Sequence, residues 1–391
     1  MNRIYSVAQA RRSAKRMLPR VVFDYIDGGA EDEVTMRANE EAFDRVALRP
    51  RMASGVSSPD LAVGVLGASL SLPVILAPCG LTRVMHPEGA VAGARAAESR
   101  GTLSVLSAVA GSSIEEVAAE SRGPMWYQLY AAGGRAEAGA LIDRARDAGF
   151  GALVVTVDTP MTGKRERDLR HGVSVPLRLD ARGAVRLAAD VASKPVWVGG
   201  MLRAALDARR VRSSASVRDR LGAVGSVAAD GSPFTWSDVE WFREHWQLPL
   251  VVKGILTGDD ARRAVERGAD GVVVSNHGGR QLEGAPATLR CLPEVVEAVG
   301  SEAEVLMDGG IRRGGDVVKA LALGAKAVLI GRPYLYGLAY GGQRGVERVL
   351  DVLSEEMERT MTLMGCHAVA KLDSNWLQPE RGAAGVLPGS S

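Results

Sequence analysis

The sequence predicts an α/β protein, a (β/α)8 TIM barrel with a helical segment before it and a long insertion after its fourth strand. Eight short runs rich in β-branched residues occur along the chain, and helical patterns separate most of them. Parallel strands need crossover connections, so this alternation indicates a parallel sheet, and the near-continuous apolar runs indicate a sheet buried on both faces. Eight such units most simply close into a barrel.

The predicted strands begin with LPVILAP and end with AVLIGRP. An open, doubly wound sheet is the alternative fold. It would usually place a glycine-rich phosphate loop after the first strand, and APCGLTR fits that pattern poorly. The eight runs cover residues 72–78, 102–109, 125–130, 152–158, 249–254, 271–276, 304–310 and 327–333.

The connection between strands four and five is unusually long, because 97 residues separate Ala152 from Pro249. We predict one domain over residues 1–391, with a mobile insertion at about residues 175–234. Between Arg178 and Arg220 the insertion holds ten Lys or Arg against four Asp. Most insertions of this kind are solvated loops, here over the barrel mouth. The same charge also fits a basic segment on an anionic membrane surface.

The composition excludes several classes of protein. Hydrophobic residues make up 46% and charged residues 24% of the chain, and the net charge is +2, without the basic blocks of a nucleic-acid-binding protein. The basic N-terminus lacks the apolar segment of a secretory signal, and no uncharged run resembles a spanning helix. The three cysteines form no CxxC pair and the histidines no zinc-binding spacing, so we expect a reducing, cytoplasmic location and no metal site.

Polar side chains cluster where the predicted strands end, and the carboxyl ends of barrel strands line active sites. Arginine binds a carboxylate bidentately, histidine accepts a proton near neutral pH, and a carboxylate can hold the resulting imidazolium. Each residue alone has an ordinary explanation, such as a turn or a structural hydrogen bond. Together they predict an active site for an anionic substrate. They are Gln128, Tyr130, Thr156, Asp158, Arg165, Lys253, Ser275, His277 and Arg280.

Two glycine-rich turns after the last two strands predict a phosphate site. DGGIRRGGD (308–316) follows strand seven, and GRP (331–333) follows strand eight. Backbone N–H groups and arginines at such turns bind phosphate, and barrels of this class commonly hold a phosphate there. Tight turns alone would not require Arg312 and Arg332, so we expect a phosphorylated cofactor.

With these residues in place, the chain resembles the FMN-dependent 2-hydroxy-acid dehydrogenase and oxidase family over essentially its whole length. The most specific match is SNHGGRQLEG (275–284), which resembles the family's active-site signature, although Glu283 stands where aspartate is usual. YQLY, TVDTP, GKRERD, VVKGI and DGGIRRG match in the same order, with Cys79 and Lys164 as further departures from the usual residues. The resemblance implies FMN as cofactor, a 2-hydroxy acid as substrate and a homo-oligomer, commonly a tetramer.

The family pattern also implies a role for each site residue. Tyr25, Arg165 and Arg280 would bind the substrate carboxylate, and Tyr130 would contact the 2-hydroxyl. His277 would be the base, paired with Asp158, and Lys253 would lie near N1 and O2 of the flavin. Whether the substrate carbon loses a proton first or a hydride directly stays open. The implied flavin contacts are Ala77, Pro78, Cys79, Gly80, Ser107, Gln128, Thr156, Lys253 and Ser275, and the implied phosphate-end contacts are Asp308, Gly310, Arg312, Gly331 and Arg332.

Within the family, GKRERDLRHG and TWSDVEWFREHW resemble segments of membrane-associated (S)-mandelate dehydrogenases, whose long loop after strand four is a membrane anchor. This favours a mandelate dehydrogenase at the inner face of the cell membrane that passes electrons to a quinone. Val109 stands where glycolate-oxidising relatives carry a bulky aromatic residue, which leaves room for a larger substrate. Alternatives are a lactate dehydrogenase, a soluble oxidase that produces hydrogen peroxide, and a barrel that binds flavin without redox turnover.

Overall fold

The computed structural model describes residues 4–130, 135–171, 188–210 and 234–379. Within them, eight parallel strands close into a barrel in chain order, which confirms the predicted (β/α)8 fold. The barrel strands are β1 (Val74–Leu76), β2 (Ser104–Ser107), β3 (Met125–Tyr130), β4 (Ala152–Thr156), β5 (Leu250–Ile255), β6 (Gly271–Val274), β7 (Glu304–Asp308) and β8 (Ala327–Ile330).

The barrel strands are apolar on both faces because each face meets its own hydrophobic layer. In β4, Val154 packs into the barrel interior, whereas Leu153 and Val155 pack outward against the helices. Alternation of this kind follows from the period of two residues along a strand. The barrel closes where β8 pairs with β1, through Val328 opposite Val74.

Helices surround the barrel, and three of them precede it, in the segment predicted to be helical. In the second half of the barrel each crossover is a single helix, so the carboxyl ends of all strands meet at one rim. The long last helix changes direction at two residues with non-helical backbone, Gly341 and Gly342. The helices are Val7–Met17, Arg20–Asp27, Val34–Asp44, Thr82–Met85, Gly89–Ser99, Ile114–Glu120, Arg135–Asp147, Glu166–Arg170, Pro195–Arg210, Trp236–His245, Gly258–Glu266, Thr288–Val299, Gly314–Ala322 and Arg332–Met364.

A short antiparallel hairpin closes the amino-terminal end of the barrel. Its strands are Val63–Val65 and Ala68–Leu70, and both Val65 and Leu70 are buried in the interior cluster that Trp126 of β3 also joins. A second antiparallel pair joins Val46–Leu48, which follows the third helix, to Leu377–Pro379. The apolar closure at this end leaves the opposite rim as the place for polar chemistry.

The predicted insertion at 175–234 falls mostly outside the described residues, and its described part is 188–210 and Phe234. Here the helix Pro195–Arg210 begins with a proline, which the first turn of a helix tolerates. Trp197 Nε1 donates a hydrogen bond to the carbonyl oxygen of Val84 (3.1 Å) and so attaches the helix to the barrel rim. Among the described helices, none is both long and apolar enough to cross a membrane.

Candidate active site

The predicted base and its carboxylate partner are in contact at the carboxyl rim. His277 follows β6, Asp158 follows β4, and His277 Nδ1 lies 2.9 Å from Asp158 Oδ1. Burial opposes ionisation of the Asp158 carboxyl, but the nearby His277 outweighs it, and the pKa of Asp158 is lowered below its usual value. An ionised Asp158 accepts the Nδ1 proton of His277, which leaves Nε2 of the ring as the proton acceptor.

The approach of Asp158 to strand β5 depends on a glycine. Gly254 has φ +114°, and a Cβ at this position would lie 2.7 Å from Cβ of Asp158. His277 itself has φ +57°, a left-handed conformation that is uncommon for a residue other than glycine. Its backbone N–H donates to Ser275 Oγ at 3.1 Å, which fixes this turn. Strained backbone of this kind persists where the surroundings enforce it, commonly at functional sites.

Two arginines approach each other beside this pair. Arg280 Nη1 donates to the carbonyl oxygens of Tyr25 (2.7 Å) and Gly28 (2.8 Å), and its guanidinium lies 5.1 Å from the centre of the Tyr25 ring. The charge of Arg280, together with burial, lowers the pKa of Arg165 to about 10. Nε of Arg165 is buried and has no hydrogen-bond partner in the described part of the chain. Two such neighbouring cations form a ready site for a carboxylate.

Tyr130 and Lys253 remain in their protonated forms at this rim. Burial raises the pKa of Tyr130 above its usual value, so its phenol keeps the proton that it can donate. Lys253 Nζ contacts Asp308 Oδ2 at 2.7 Å and donates to Ser275 Oγ at 2.8 Å. Burial alone would lower the pKa of Lys253, but Asp308 and Asp158 raise it, so the ammonium stays charged.

A buried row of hydrogen bonds runs across three neighbouring strands. Ser107 Oγ of β2 donates to Gln128 Oε1 of β3 (2.8 Å), and Gln128 Nε2 donates to Thr156 Oγ1 of β4 (3.0 Å). All three side chains are at most 2% exposed. Buried polar groups need partners, and this row supplies them within the barrel.

The cavity at this rim is lined by most of the predicted site residues. Ser107, Gln128, Thr156 and Ser275, predicted flavin contacts, do not line it but lie in the hydrogen-bonded layer behind it, and Asp158 reaches it through His277. The predicted residues that line the cavity are Tyr25, Ala77, Pro78, Cys79, Gly80, Tyr130, Arg165, Lys253, His277, Arg280, Asp308, Gly310, Arg312, Gly331 and Arg332, together with Val109.

The predicted phosphate end of the cavity is built by the turns after β7 and β8. Arg332 donates from Nη1 to Gly278 O and from Nη2 to Gly28 O, each at 2.8 Å. Burial and the charge of Arg280 lower the pKa of Arg332 to about 10. Gly310 has φ +79°, and a Cβ there would lie 2.1 Å from the carbonyl oxygen of Asn39. The turn after β7 therefore requires glycine, and it keeps its backbone open to a ligand.

The sequence model of the FMN-dependent dehydrogenase family matches residues 14–379. The chain belongs to this family. Glycolate oxidase 5 of Oryza sativa subsp. japonica is 41% identical over 388 residues and covers 99% of each chain. L-lactate dehydrogenase of Pseudomonas syringae is 44% identical over 381 residues, 96% of this chain and 98% of the relative. The crystal structure of the monotopic membrane protein (S)-mandelate dehydrogenase is 38% identical, with a TM-score of 0.87, and covers 97% of this chain and 100% of that one.

FMN is the cofactor of this family, and the cavity of this protein fits it. Asp308 Oδ1 and Arg332 Nε are buried and have no hydrogen-bond partner among the residues described, and both belong to the predicted phosphate end. A carboxylate oxygen suits a ribityl hydroxyl, and a guanidinium suits a phosphate. The other carboxylate oxygen of Asp308, Oδ2, is paired with the buried ammonium of Lys253.

Several residues of this family member make contacts that the sequence alone did not reveal. Glu283, the departure from the family signature, accepts hydrogen bonds from the N–H groups of Val34 (2.6 Å) and Thr35 (3.3 Å), so its carboxylate caps the helix Val34–Asp44. Cys79 has a buried hydrogen-bond partner in Tyr334, and burial raises the pKa of its thiol. These contacts join segments far apart in sequence, and no local pattern signals them.

Proposed function

We propose that this protein is an FMN-dependent (S)-2-hydroxy-acid dehydrogenase, with (S)-mandelate as the substrate that the sequence features favour. The observation that carries the proposal is the convergence of Arg165 and Arg280, two neighbouring cations, beside the His277–Asp158 pair. This arrangement combines a carboxylate site with a base, and a 2-hydroxy acid offers both a carboxylate and an ionisable hydroxyl.

The roles of the side chains follow from this geometry. Arg165 and Arg280 bind the carboxylate and thereby orient the hydroxyl towards His277. Nε2 of His277 takes the hydroxyl proton, and Asp158 stabilises the imidazolium that forms. Tyr130 donates a hydrogen bond to the substrate oxygen. FMN, when bound, would accept the hydrogen of the substrate carbon together with the two electrons of that C–H bond, so that a 2-keto acid is left.

The size of Val109 supports a bulky substrate side chain. Val109 lines the cavity, and a Cβ at Gly80 would lie 3.0 Å from its Cγ2, so glycine there lets Val109 pack close to the turn after β1. Val109 is smaller than an aromatic residue by several carbon atoms, and a smaller lining residue admits a larger substrate. Mandelate, with its phenyl ring, uses this space better than glycolate or lactate.

The described part of the insertion supports a peripheral membrane site and a quinone as electron acceptor. On the helix Pro195–Arg210, Val196, Leu202 and Leu206 are 72%, 60% and 58% exposed. Exposed apolar side chains within a basic segment fit an anionic lipid surface. We propose that residues 175–234 associate with the inner face of the cell membrane, as an insertion within one domain of residues 1–391. We propose that the protein assembles as a homotetramer.

A soluble oxidase acting on L-lactate or another 2-hydroxy acid is the second candidate. Relatives named as oxidases, at 41% and 44% identity, favour it, but a lactate dehydrogenase is as similar, at 44%. Overall identity therefore discriminates neither the substrate nor the electron acceptor. One equivalent of hydrogen peroxide per keto acid formed under air would support this candidate over the quinone-linked enzyme.

The test is an anaerobic titration of the purified holoprotein, followed by the visible absorbance of its flavin. We expect (S)-mandelate to bleach the flavin rapidly, with L-lactate and glycolate slower and (R)-mandelate inert as the matched control. Bleaching by L-lactate alone would replace mandelate with lactate. No bleaching by any 2-hydroxy acid would leave the chain as a flavin-binding barrel without this activity.

A further inference from the structure

The carboxylate of Asp27 is a buried meeting point of three segments outside the catalytic cluster. Asp27 is 2% exposed and ends the helix Arg20–Asp27. It accepts hydrogen bonds from Arg11 Nε (2.5 Å) and Nη2 (2.7 Å), from Arg167 Nη1 (2.9 Å) and from the Tyr336 hydroxyl (2.7 Å). These donors come from the first helix, from the helix after β4 and from the helix after β8.

The Asp27 carboxylate is charged and fully engaged. Burial opposes its ionisation, but the hydrogen bonds from Arg11, Tyr336 and Arg167 outweigh burial and lower the pKa of Asp27 to about 2. A buried charge is tolerated when it is paired and hydrogen-bonded, and removing its partners or its charge disturbs every group that it holds. The four hydrogen bonds therefore attach the end of the helix Arg20–Asp27 to three other helices.

This helix end holds two arginines of the active site through its backbone. Gly28, the next residue, accepts hydrogen bonds at its carbonyl oxygen from Arg280 Nη1 and Arg332 Nη2, each at 2.8 Å. The carbonyl oxygen of Tyr25 accepts a third, from Arg280 Nη1 at 2.7 Å. Carbonyl groups at the C-terminal end of a helix lack intrahelical partners and attract cations. Arg280 faces the substrate end of the cavity, and Arg332 faces its phosphate end.

We propose that Asp27 is a positioning residue that couples the substrate site to the cofactor phosphate site. By fixing the helix end, Asp27 holds the carbonyl groups of Tyr25 and Gly28 where they aim Arg280 and Arg332. The expected effect of Asp27 on substrate binding rests on the proposed function. Its expected effect on FMN binding rests only on FMN being the cofactor. Asp27 touches neither group, so it acts through the two arginines.

The test compares Asp27→Asn with wild type in two measurements. FMN affinity of the apoprotein is measured by quenching of flavin fluorescence, and KM and kcat for (S)-mandelate are measured at saturating FMN. We expect the dissociation constant of FMN and the KM both to rise about tenfold, the size typical of lost hydrogen bonds to a charged group, with a smaller change in kcat. The conservative variant Asp27→Glu should recover part of both affinities.

A matched pair of variants separates positioning from general stability. Arg11 and Arg100 each form a bidentate pair with an aspartate through Nε and Nη2, and both are partly exposed. Arg100 pairs with Asp351 on the long last helix, away from the carbonyl groups of Tyr25 and Gly28. We expect Arg11→Gln to weaken FMN binding and Arg100→Gln to leave it as in wild type, even where both lower the melting temperature.

The outcomes are distinct. Unchanged FMN affinity and KM in Asp27→Asn, or equal effects of Arg11→Gln and Arg100→Gln, would overturn the proposal. If Asp27→Asn does not fold, Arg11→Gln and Tyr336→Phe replace it, and unchanged FMN affinity in both would overturn the proposal equally. A wild type that oxidises no 2-hydroxy acid would defeat the proposed function instead, and the FMN measurement would still decide the role of Asp27.

Discussion

The two ends of the barrel differ in how their polar atoms are satisfied. At the amino-terminal end, the hairpin residues Val65 and Leu70 pack on apolar interior side chains, and the buried Nε of Arg267, which precedes β6, lies 3.2 Å from the Glu240 carboxylate. At the carboxyl end, buried atoms of Asp158, Arg165 and Arg332 have no hydrogen-bond partner within the described chain. Unpaired buried polar groups are destabilising, so their concentration at one rim marks the place where ligands complete the structure.

The difference teaches that one fold separates stability from function in space. Substitutions at the closed end should lower the free energy of unfolding and leave catalytic activity almost unchanged. Substitutions at the open end should lower catalytic activity and cost less stability, because the polar groups there are not optimised for the folded state. Four variants test this division, from the largest expected effect to the smallest.

The largest effect is expected from removing the base at the open end. In His277→Gln the acceptor of the hydroxyl proton is lost, so kcat for (S)-mandelate should fall by about 10²–10⁴-fold. The visible spectrum of bound flavin should stay close to that of wild type, which shows that the cavity is intact. A variant with more than a tenth of wild-type kcat would mean that another group is the base.

Removing a side chain at the closed end should have the opposite signature. Leu70 is 2% exposed in the interior cluster, and Leu70→Ala should lower the free energy of unfolding by about 2–5 kcal/mol. Denaturant unfolding measures this loss. The kcat of the folded fraction should match wild type. If Leu70→Ala reduced kcat as strongly as His277→Gln, the separation of the two ends would be wrong.

The third variant tests the carboxylate site through its charge. Arg165→Met should raise the KM for (S)-mandelate by about 10- to 100-fold, because charge-assisted hydrogen bonds to the carboxylate are lost. The pKa of Arg165 is lowered to about 10, so in wild type this cation is lost as the pH rises through 10. KM should therefore climb above pH 10 in wild type. The same climb in Arg165→Met would assign it to another group.

The smallest effect on catalysis is expected from the insertion. Leu202 and Leu206 are exposed on the helix Pro195–Arg210, and replacing both with Glu should weaken binding to vesicles that contain anionic lipid. Sedimentation with such vesicles measures the effect, and vesicles of neutral lipid serve as the control. The kcat with a soluble electron acceptor should not change. If the wild-type protein bound neither kind of vesicle, the membrane proposal would be contradicted.

Much of the molecule could be predicted from sequence because its signals are local. Apolar runs mark all eight barrel strands, and a position at or just after the carboxyl end of a strand locates Asp158, Lys253 and His277 on one rim. The Asp27 cluster could not be predicted, because Arg11, Arg167 and Tyr336 lie far apart in sequence. The need for glycine at Gly254 comes from Asp158, which follows the neighbouring strand β4, and no local pattern shows this contact.

The hydrogen-bonded row of side chains behind the cavity could not be predicted from local sequence patterns either. Ser107, Gln128 and Thr156 lie near the carboxyl ends of neighbouring strands, but they hydrogen-bond to one another instead of lining the cavity. Side-chain direction at a strand end depends on the twist and register of the closed barrel, which the sequence does not state. Their predicted contact with flavin stays a prediction.

The most direct measurement is an anaerobic comparison of (S)-mandelate with its methyl ester, which has the same hydroxyl and ring but no carboxylate charge. If Arg165 and Arg280 orient the substrate for His277, the acid should reduce the flavin at concentrations at least about tenfold lower than the ester, since charged partners are stronger. The same comparison in Arg165→Met should show a smaller difference. Equal reduction by acid and ester in wild type would contradict the assignment of this rim as a carboxylate site.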